Sequence, residues 1–212
     1  MMERKAFWKL AASSMIVAAT MVGCSGAALQ SHAGLASSKA EKSGAANVQA
    51  AEKALAARDA VRAVASAEAA VASDTENASY RAILGRAYLL SGRFQSAESA
   101  LADAMTLGNR DPRTIVNLAL VKTALGNNTQ AHDLLAAQMD VLPAADYGLA
   151  MAMAGDTNEA IRVLGQAIHD PAAGVRERQN LAYSYALAGR WNEARQMAQM
   201  DMAPLAAAQR VM

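Results

Sequence analysis

A fifteen-residue stretch of this chain recurs along the sequence. Residues 180–194 read NLAYSYALAGRWNEA, and residues 117–131 read NLALVKTALGNNTQA, with Asn, Leu, Ala, Gly and Ala at the same offsets. Residues 83–97, ILGRAYLLSGRFQSA, share the Leu, the Gly and the last Ala. Recurrence of this kind indicates a repeat architecture, in which each unit is one supersecondary motif stacked on the next.

Glycines give the period of the repeat. Gly92, Gly126, Gly155 and Gly189 lie 34, 29 and 34 residues apart, and each is followed five positions later by alanine. A period of 34 residues is typical of helix–turn–helix repeats. One period before Gly92 the sequence has Arg58 where the other units have glycine.

We expect each unit to consist of two helices, because Ala and Leu favour helices and only 4% of the residues are aromatic. Alanines early in the second helix let the two axes approach closely. Large apolar residues should fill the space between the two helices of each unit, and these are Leu84, Leu118, Leu149 and Leu181.

The motif LGRAY (84–88), and less closely LALVK (118–122) and LAYSY (181–185), resembles the Leu-Gly-x-x-Tyr pattern of the tetratricopeptide-repeat (TPR) family. The resemblance implies an all-α TPR solenoid of about four to five helix–turn–helix units within residues 47–208. The units are about 44–77, 78–111, 112–144, a shortened 145–174, and 175–208. The first is Ala-rich and lacks the turn glycine, so it is either a repeat or one long capping helix.

The fourth unit lacks five residues, all before Gly155. Its first helix should therefore begin near Ala144 and have at most three turns. Loss of the first turn either opens a pocket or reflects drift of the sequence. Asp156 followed by Glu159 resembles a helix-capping box at the start of the second helix, with Asp in place of Ser or Thr.

The N-terminus is typical of a secretory signal. Arg4, Lys5 and Lys9 precede thirteen apolar or small residues (10–22), a stretch too short to span a bilayer as a mature helix. We therefore expect residues 1–23 to be a secretory signal peptide.

Cys24 is the only cysteine and follows this apolar stretch directly. MVGCSG (21–26) is similar to the lipobox of bacterial lipoproteins, with Met21 where Leu or Val is usual. The resemblance implies cleavage before Cys24, lipid attachment to it, and outer-membrane sorting through Ser25. A buried structural cysteine, or a chance cysteine in an ordinary signal peptide, is the alternative. The residues that follow are small and polar with little periodicity, so we expect a flexible tether over 24–46.

Loss of residues 1–23 removes three basic residues and one acidic residue, so the formal charge falls from +1 to −1. A nearly neutral chain lacks the basic surface of nucleic-acid-binding proteins. Nucleic acid is therefore not an expected partner.

Enzyme motifs are absent from the sequence, including the nucleophile elbow, the phosphate loop and His-Glu-x-x-His. His32 falls in the tether, and His132 and His169 fall on different helices, so we expect solvated histidines and no metal site. We expect no cofactor and no small-molecule substrate. Catalysis would need a cluster of titratable side chains that the sequence does not display.

Methionines are frequent at MAMAG (151–155) and in the last helix, at Met197, Met200 and Met202. Methionine at helical spacing usually fills a core. The alternative is an exposed apolar end of the array that invites a partner or self-association.

In TPR proteins the first helix of each unit lines a groove for peptides. Arginine suits carboxylates and asparagine suits backbone amides, which fits a peptide ligand. For each residue the alternative is an ordinary solvated helix position. The resemblance assigns to this groove Arg86, Arg113, Asn117, Arg176, Gln179, Asn180 and Tyr183.

A lipobox, a tether, about four TPR units and the ending RQNLAYSYALAGRWNEARQMAQMDMAP (178–204) are together similar to the TPR lipoproteins of tight-adherence (Tad/Flp) pilus assembly. That resemblance implies a non-enzymatic, lipid-anchored scaffold that binds an envelope protein, such as the pilus secretin or another assembly component, at the periplasmic face of the outer membrane. The alternative is an accessory subunit that docks an enzyme or transport machine of cell-wall or outer-membrane assembly.

Overall fold

The structure, a computed structural model, describes the backbone of residues 26–209 and the side chains of residues 41–200. It contains α-helices and one short 3₁₀ turn and no strand within residues 26–209, which confirms the all-α prediction. The signal peptide, Cys24 and Ser25 lie outside the described residues. The elements are α1 (Gly26–Ala56), α2 (Ala60–Ser73), α3 (Ala78–Leu90), α4 (Phe94–Thr106), α5 (Pro112–Ala124), α6 (Asn128–Ala137), the 3₁₀ turn Met139–Val141, α7 (Ala144–Met153), α8 (Thr157–Ala167), α9 (Val175–Leu187) and α10 (Trp191–Gln209).

The chain divides after Ser37 into two compact units, and the second contains the helix pairs, with α1 included from residue 38 onward. There, each helix from α2 to α9 packs against the next one in the sequence. The odd-numbered helices, called A helices below, also contact one another, α3 with α5, α5 with α7 and α7 with α9. This stacking of helix pairs is that of a TPR solenoid, as the sequence predicted.

The turn between the two helices of each pair requires a left-handed residue. Gly92, Gly126, Gly155 and Gly189 have φ values of 74°, 81°, 102° and 73°, which glycine adopts without steric cost. In the first pair Arg58 takes the same conformation, with φ 56°. The first unit is therefore two helices joined by this turn, and the alternative of one long capping helix is wrong.

Helix α1 begins at Gly26, whereas the sequence predicted a flexible tether as far as residue 46. The segment is rich in Ala and also contains Leu, Gln, Lys and Glu, which are all good helix formers. Intrinsic helix propensity therefore accounts for helical backbone in a segment whose apolar residues show little periodicity. Its role as a tether stays an expectation.

The residue eight positions before each of the four turn glycines packs between the helices of its unit. Leu84, Leu118 and Leu181 occupy this position and are 8%, 4% and 1% exposed. In the shortened unit it is Tyr147, which is 4% exposed, so the prediction of Leu149 there is wrong. The five missing residues shifted the alignment of this unit with the others. Counting eight positions back from Gly155 identifies Tyr147 instead of Leu149.

Two A helices approach their partners closely through glycine. A Cβ atom on Gly85 would lie 2.5 Å from Cγ of Leu101, and one on Gly148 would lie 2.5 Å from Cγ of Leu164. Both leucines are fully buried. Glycine at these positions thus lets a leucine of the second helix reach the backbone of the first.

Helix α7 begins at Ala144 and has ten residues, as the sequence predicted. The capping box at α8 is half formed. Asp156 Oδ1 accepts a hydrogen bond from the backbone N–H of Glu159 at 2.9 Å. The Glu159 carboxylate instead accepts hydrogen bonds from the Arg162 guanidinium, because that ion pair is one turn away on the same helix face.

Among the described residues, no helix combines the length and the hydropathy that a membrane span requires.

Candidate functional site

One surface of the array is formed by A-helix residues that stand six, nine and thirteen positions before each turn residue, and we call it the A-helix surface. The six-before positions are Glu52, Arg86, Leu120, Leu149 and Tyr183. The nine-before positions are Gln49, Ile83, Asn117, Asp146 and Asn180. The thirteen-before positions are Ala45, Ser79, Arg113 and Arg176, whereas in the shortened unit this position is Leu142, which precedes α7 and is buried.

A hollow of about 670 Å³ lies on this surface where α5, α7 and α9 begin. Helix α7 starts eleven residues before its turn, whereas α5 and α9 start fourteen before theirs. The missing first turn of α7 therefore leaves room between its neighbours. The lining residues are Asp111, Pro112, Arg113, Val116, Asn117, Pro143, Asp146 and Arg176.

Two smaller hollows continue the surface toward α1. Arg86 and Arg113 both line a hollow of about 170 Å³, together with Glu52 and Asp111. Arg86, Glu52 and Asn117 line another of about 380 Å³, whose remaining wall is apolar and includes Leu89 and Leu90. The three hollows share lining residues and therefore adjoin one another, and we call the row that they form along α1, α3, α5 and α7 the furrow.

On α9 the predicted polar residues are engaged within the chain. The Arg176 guanidinium forms an ion pair with Asp146 of α7. Asn180 donates a hydrogen bond from Nδ2 to the carbonyl of Ala145 at 2.8 Å. These two contacts join the last unit to the shortened unit.

On α5 the equivalent residues are open. Within residues 41–200, the side chains of Arg113 and Asn117 make no hydrogen bond or ion pair, and neither does that of Arg86 on α3. Arg113 and Arg176 differ because of the residue that stands nine positions before the turn of the preceding unit. This residue is Asp146 opposite Arg176 but Ile83 opposite Arg113, so Arg113 has no carboxylate at the position that pairs with Arg176.

The last two predicted residues, Gln179 and Tyr183, are exposed on α9 and line none of these three hollows. Tyr183 is 48% exposed. The structure therefore places Arg86, Arg113, Asn117 and Arg176 in one furrow. Asn180 instead bonds to the neighbouring unit, and Gln179 and Tyr183 lie outside the furrow.

Sequence reasoning missed three acidic residues of the furrow, namely Glu52, Asp111 and Asp146. Asp111 Oδ1 accepts a hydrogen bond from the backbone N–H of Arg113 at 2.8 Å and so caps α5. Asp146 and Glu52 could have been found from the sequence, because each falls in register when positions are counted back from its own turn residue. Asp146 was missed because the five missing residues of the shortened unit shifted its alignment with the other units.

The expectation that His132 is simply solvated is wrong, because its side chain lies beside an acidic residue. Its Nε2 lies 3.3 Å from Oδ2 of Asp156, and its side chain is 40% exposed. His169 is exposed, as expected. Within the described part of the chain, no three side chains of His, Cys, Asp or Glu group closely enough to hold a metal ion.

Two ionisable clusters link helices away from the furrow. Burial, followed by the charge of Glu159, raises the pKa of Tyr147. Hydrogen bonding from Arg162 lowers the pKa of Glu159. Burial and the hydrogen bond to Glu68 of α2 raise the pKa of Tyr88. These tyrosines serve as contacts between helices, because each hydroxyl donates to a carboxylate.

Some of the methionines fill the core and others are exposed, so each of the two alternatives holds for part of them. Met151 is 1% exposed and fills the core, whereas Met153 and Met200 are 42% and 62% exposed. The side chain of Met202 lies outside the described residues.

Comparison with known proteins identifies the fold. No protein-family model and no curated protein matches the chain. TTC0263, a thermophilic TPR protein of Thermus thermophilus, is 20% identical with a TM-score of 0.63, over 79% of this chain and 95% of its own. YrrB, described as a TPR protein with an unusual peptide-binding site, is 17% identical with a TM-score of 0.52, over 74% of this chain and 84% of its own.

PilF of Pseudomonas aeruginosa is 14% identical with a TM-score of 0.60, over 75% of each chain. At identities this low the likeness shows the fold alone. The chain has the TPR fold.

Proposed function

We propose that this chain, a TPR solenoid, is a non-enzymatic scaffold that holds a protein partner on its A-helix surface. The observation that carries the proposal is the furrow of adjoining hollows along α1, α3, α5 and α7, where the polar side chains of Arg86, Arg113 and Asn117 are left unpaired within residues 41–200. An open furrow over several units suits a polypeptide segment better than a small molecule, which usually binds in an enclosed apolar pocket. YrrB, which shares the fold, is described as having a peptide-binding site.

The sequence supports a more specific setting for this scaffold. We propose that Cys24 is lipidated and holds the chain at the periplasmic face of the outer membrane, with residues 24–46 as the connecting segment. Bacterial lipoproteins of the kind that the lipobox resembles carry three acyl chains, which exceed the two signals that stable anchoring needs. The partner is then an envelope protein, and the ending at residues 178–204 favours the secretin or another component of Tad/Flp pilus assembly.

Site-directed photo-crosslinking in cells tests the scaffold directly. A photoreactive residue at Asn117, inside the furrow, should crosslink the full chain to a defined partner. The matched control is Ser99, which is exposed on α4 and lines none of the three hollows. Equal crosslinking to the same protein from both positions would exclude the A-helix surface as the binding site.

The identity of the crosslinked protein separates the two settings. A pilus secretin or another pilus assembly component supports the Tad/Flp role. A cell-wall or outer-membrane assembly enzyme, or a transport subunit, supports the role of docking accessory. Genes for pilin, secretin and secretion ATPase beside the gene for this chain would favour the former.

Lipid anchoring is tested by Cys24→Ser. This variant should leave the membrane fraction, since the lipid is attached at that residue. If it stays in the membrane fraction at the wild-type level, the chain is held there by something else.

A further inference from the structure

The same pair of side chains occurs twice on the A-helix surface, once engaged and once open. Arg176 and Asn180 of α9, and Arg113 and Asn117 of α5, stand thirteen and nine positions before their turns. On α9, the guanidinium binds the Asp146 carboxylate and the amide binds the carbonyl of Ala145, so the pair holds two consecutive residues of α7. The molecule thus contains its own example of what this pair recognises.

The corresponding residues before α5 are Ala82 and Ile83, which offer no carboxylate. Arg113 is exposed, and Arg86 lines the same hollow of about 170 Å³ from the neighbouring α3. We propose that these two arginines bind a side-chain carboxylate of an Asp or Glu in the partner's segment, while Asn117 donates to a backbone carbonyl of that segment. The inference rests on the proposed scaffold function and names the chemistry of its partner.

The two acidic residues at the hollow limit it to a single incoming carboxylate. Glu52 and Asp111 line it together with the two arginines. Asp111 is already committed to the N-terminus of α5 through the backbone N–H of Arg113. A segment that ends in an acidic residue would bring a second, terminal carboxylate close to Glu52 and Asp111, and like charges at short range repel. An acidic residue inside a segment brings one charge, which the arginines can satisfy with charge-assisted hydrogen bonds.

At the other end of the A-helix surface, the same pair of side chains is already engaged within the chain. Asp146 already occupies Arg176, and the amide of Asn180 is held by Ala145. The chain's own acidic residue therefore confines carboxylate recognition to α3 and α5.

The test uses the full chain in detergent, labelled with ¹⁵N, and the Nε–Hε signals of its arginines. The probe is a peptide with the sequence of residues 143–149, PAADYGL, acetylated and amidated, which carries the Ala-Asp pair. A control peptide has Asn in place of this Asp. The Asp peptide should shift the Arg113 and Arg86 signals with saturation, and the Asn peptide should bind about tenfold more weakly, because it lacks the charge.

Arg113→Gln should weaken binding of the Asp peptide about tenfold. The matched control is Arg195→Gln, which removes an exposed arginine of α10 and should leave binding unchanged. Full binding by the Arg113 variant, or equal binding of the Asp and Asn peptides, would overturn the carboxylate site and leave the scaffold proposal to the crosslinking experiment. A peptide that ends in a free Asp and binds more tightly than the blocked probe would assign the site to a chain terminus instead.

Asp146→Asn gives an independent test that does not disturb the buried core. The substitution releases Arg176, so the Asp peptide should now also shift the Arg176 signal, which stays unaffected in the wild-type chain. If Arg176 responds in the wild type, or fails to respond in the variant, the internal pair is not a copy of the ligand and the proposal is wrong.

Discussion

Asn180 donates a hydrogen bond to the carbonyl of Ala145 at 2.8 Å and so fastens the last unit of the solenoid to the shortened one. Asn117 stands at the same position of its own unit and makes no side-chain hydrogen bond within residues 41–200. Two residues that the sequence presents as equals therefore have different roles. One stabilises an interface between units, and the other remains available to a partner.

The first prediction compares the two asparagines. Asn180→Ala should lower the free energy of unfolding by about 1 kcal/mol, because it removes a partly buried hydrogen bond between units. Asn117→Ala is the matched control and should not lower it by more than about 0.5 kcal/mol, since alanine is the better helix former and no side-chain hydrogen bond within residues 41–200 is lost. Urea denaturation followed by circular dichroism measures both. Equal losses would show that Asn117 also carries an interface contact.

The helix pairs were predictable from the sequence because the turn glycines fix the register with little ambiguity. A left-handed turn, a buried residue eight positions earlier and an alanine five positions later recur in each unit from Gly92 to Gly189. The prediction failed where the spacing changed. At the shortened unit, alignment by residue type selected Leu149, although the turn geometry selects Tyr147.

The candidate site was predictable only in part, since its chemistry depends on pairs of residues from different units. Arg113 and Arg176 look alike in the sequence. Whether each is free depends on Ile83 and Asp146, which lie 30 residues before them. Composition and periodicity say nothing about such pairs, whereas a comparison of each unit with the one before it would have found them.

The second prediction concerns Arg58, the residue with a left-handed backbone where the other units have glycine. A non-glycine residue in this conformation costs about 1–2 kcal/mol. Arg58→Gly should therefore raise the free energy of unfolding, by about 1 kcal/mol once the greater freedom of glycine in the unfolded chain is counted. Arg58→Ala is the control, because it removes the side chain but keeps the strain, and it should not stabilise. Thermal unfolding distinguishes the two, and equal effects would mean that the arginine side chain matters rather than its φ.

The third prediction concerns close approach of the helices at Gly85. A methyl group there would lie 2.5 Å from Cγ of the fully buried Leu101, so Gly85→Ala should destabilise by about 1–3 kcal/mol. Gly165→Ala is the control, since a Cβ at that position of α8 meets nothing within 4 Å. It should stabilise by about 0.5–1 kcal/mol through helix propensity. Opposite signs in chemical denaturation are the expected result, and a stable Gly85 variant would show that Leu101 can move aside.

The fourth prediction is a pH dependence that arises from Glu159. Arg162 donates to both oxygens of its carboxylate, at 2.6 and 2.5 Å, and this hydrogen bonding lowers the pKa of Glu159 from its ordinary value of 4.5. A carboxyl group whose pKa is lower in the folded state stabilises the fold above its unfolded pKa, and this contribution is lost as the pH falls through the folded pKa. Part of the stability at neutral pH should therefore disappear below pH 4.5.

Glu159→Gln should reduce the dependence of the urea midpoint on pH below 4.5, because the variant has no carboxylate to protonate at this position. Arg162→Gln should reduce it as well, since without the guanidinium the pKa of Glu159 returns toward its ordinary value. Unfolding curves at a series of pH values between about 3 and 7 measure the effect. Wild-type pH dependence in both variants would show that the Glu159–Arg162 pair does not couple folding to protonation, and that acid acts on the fold through other carboxylates.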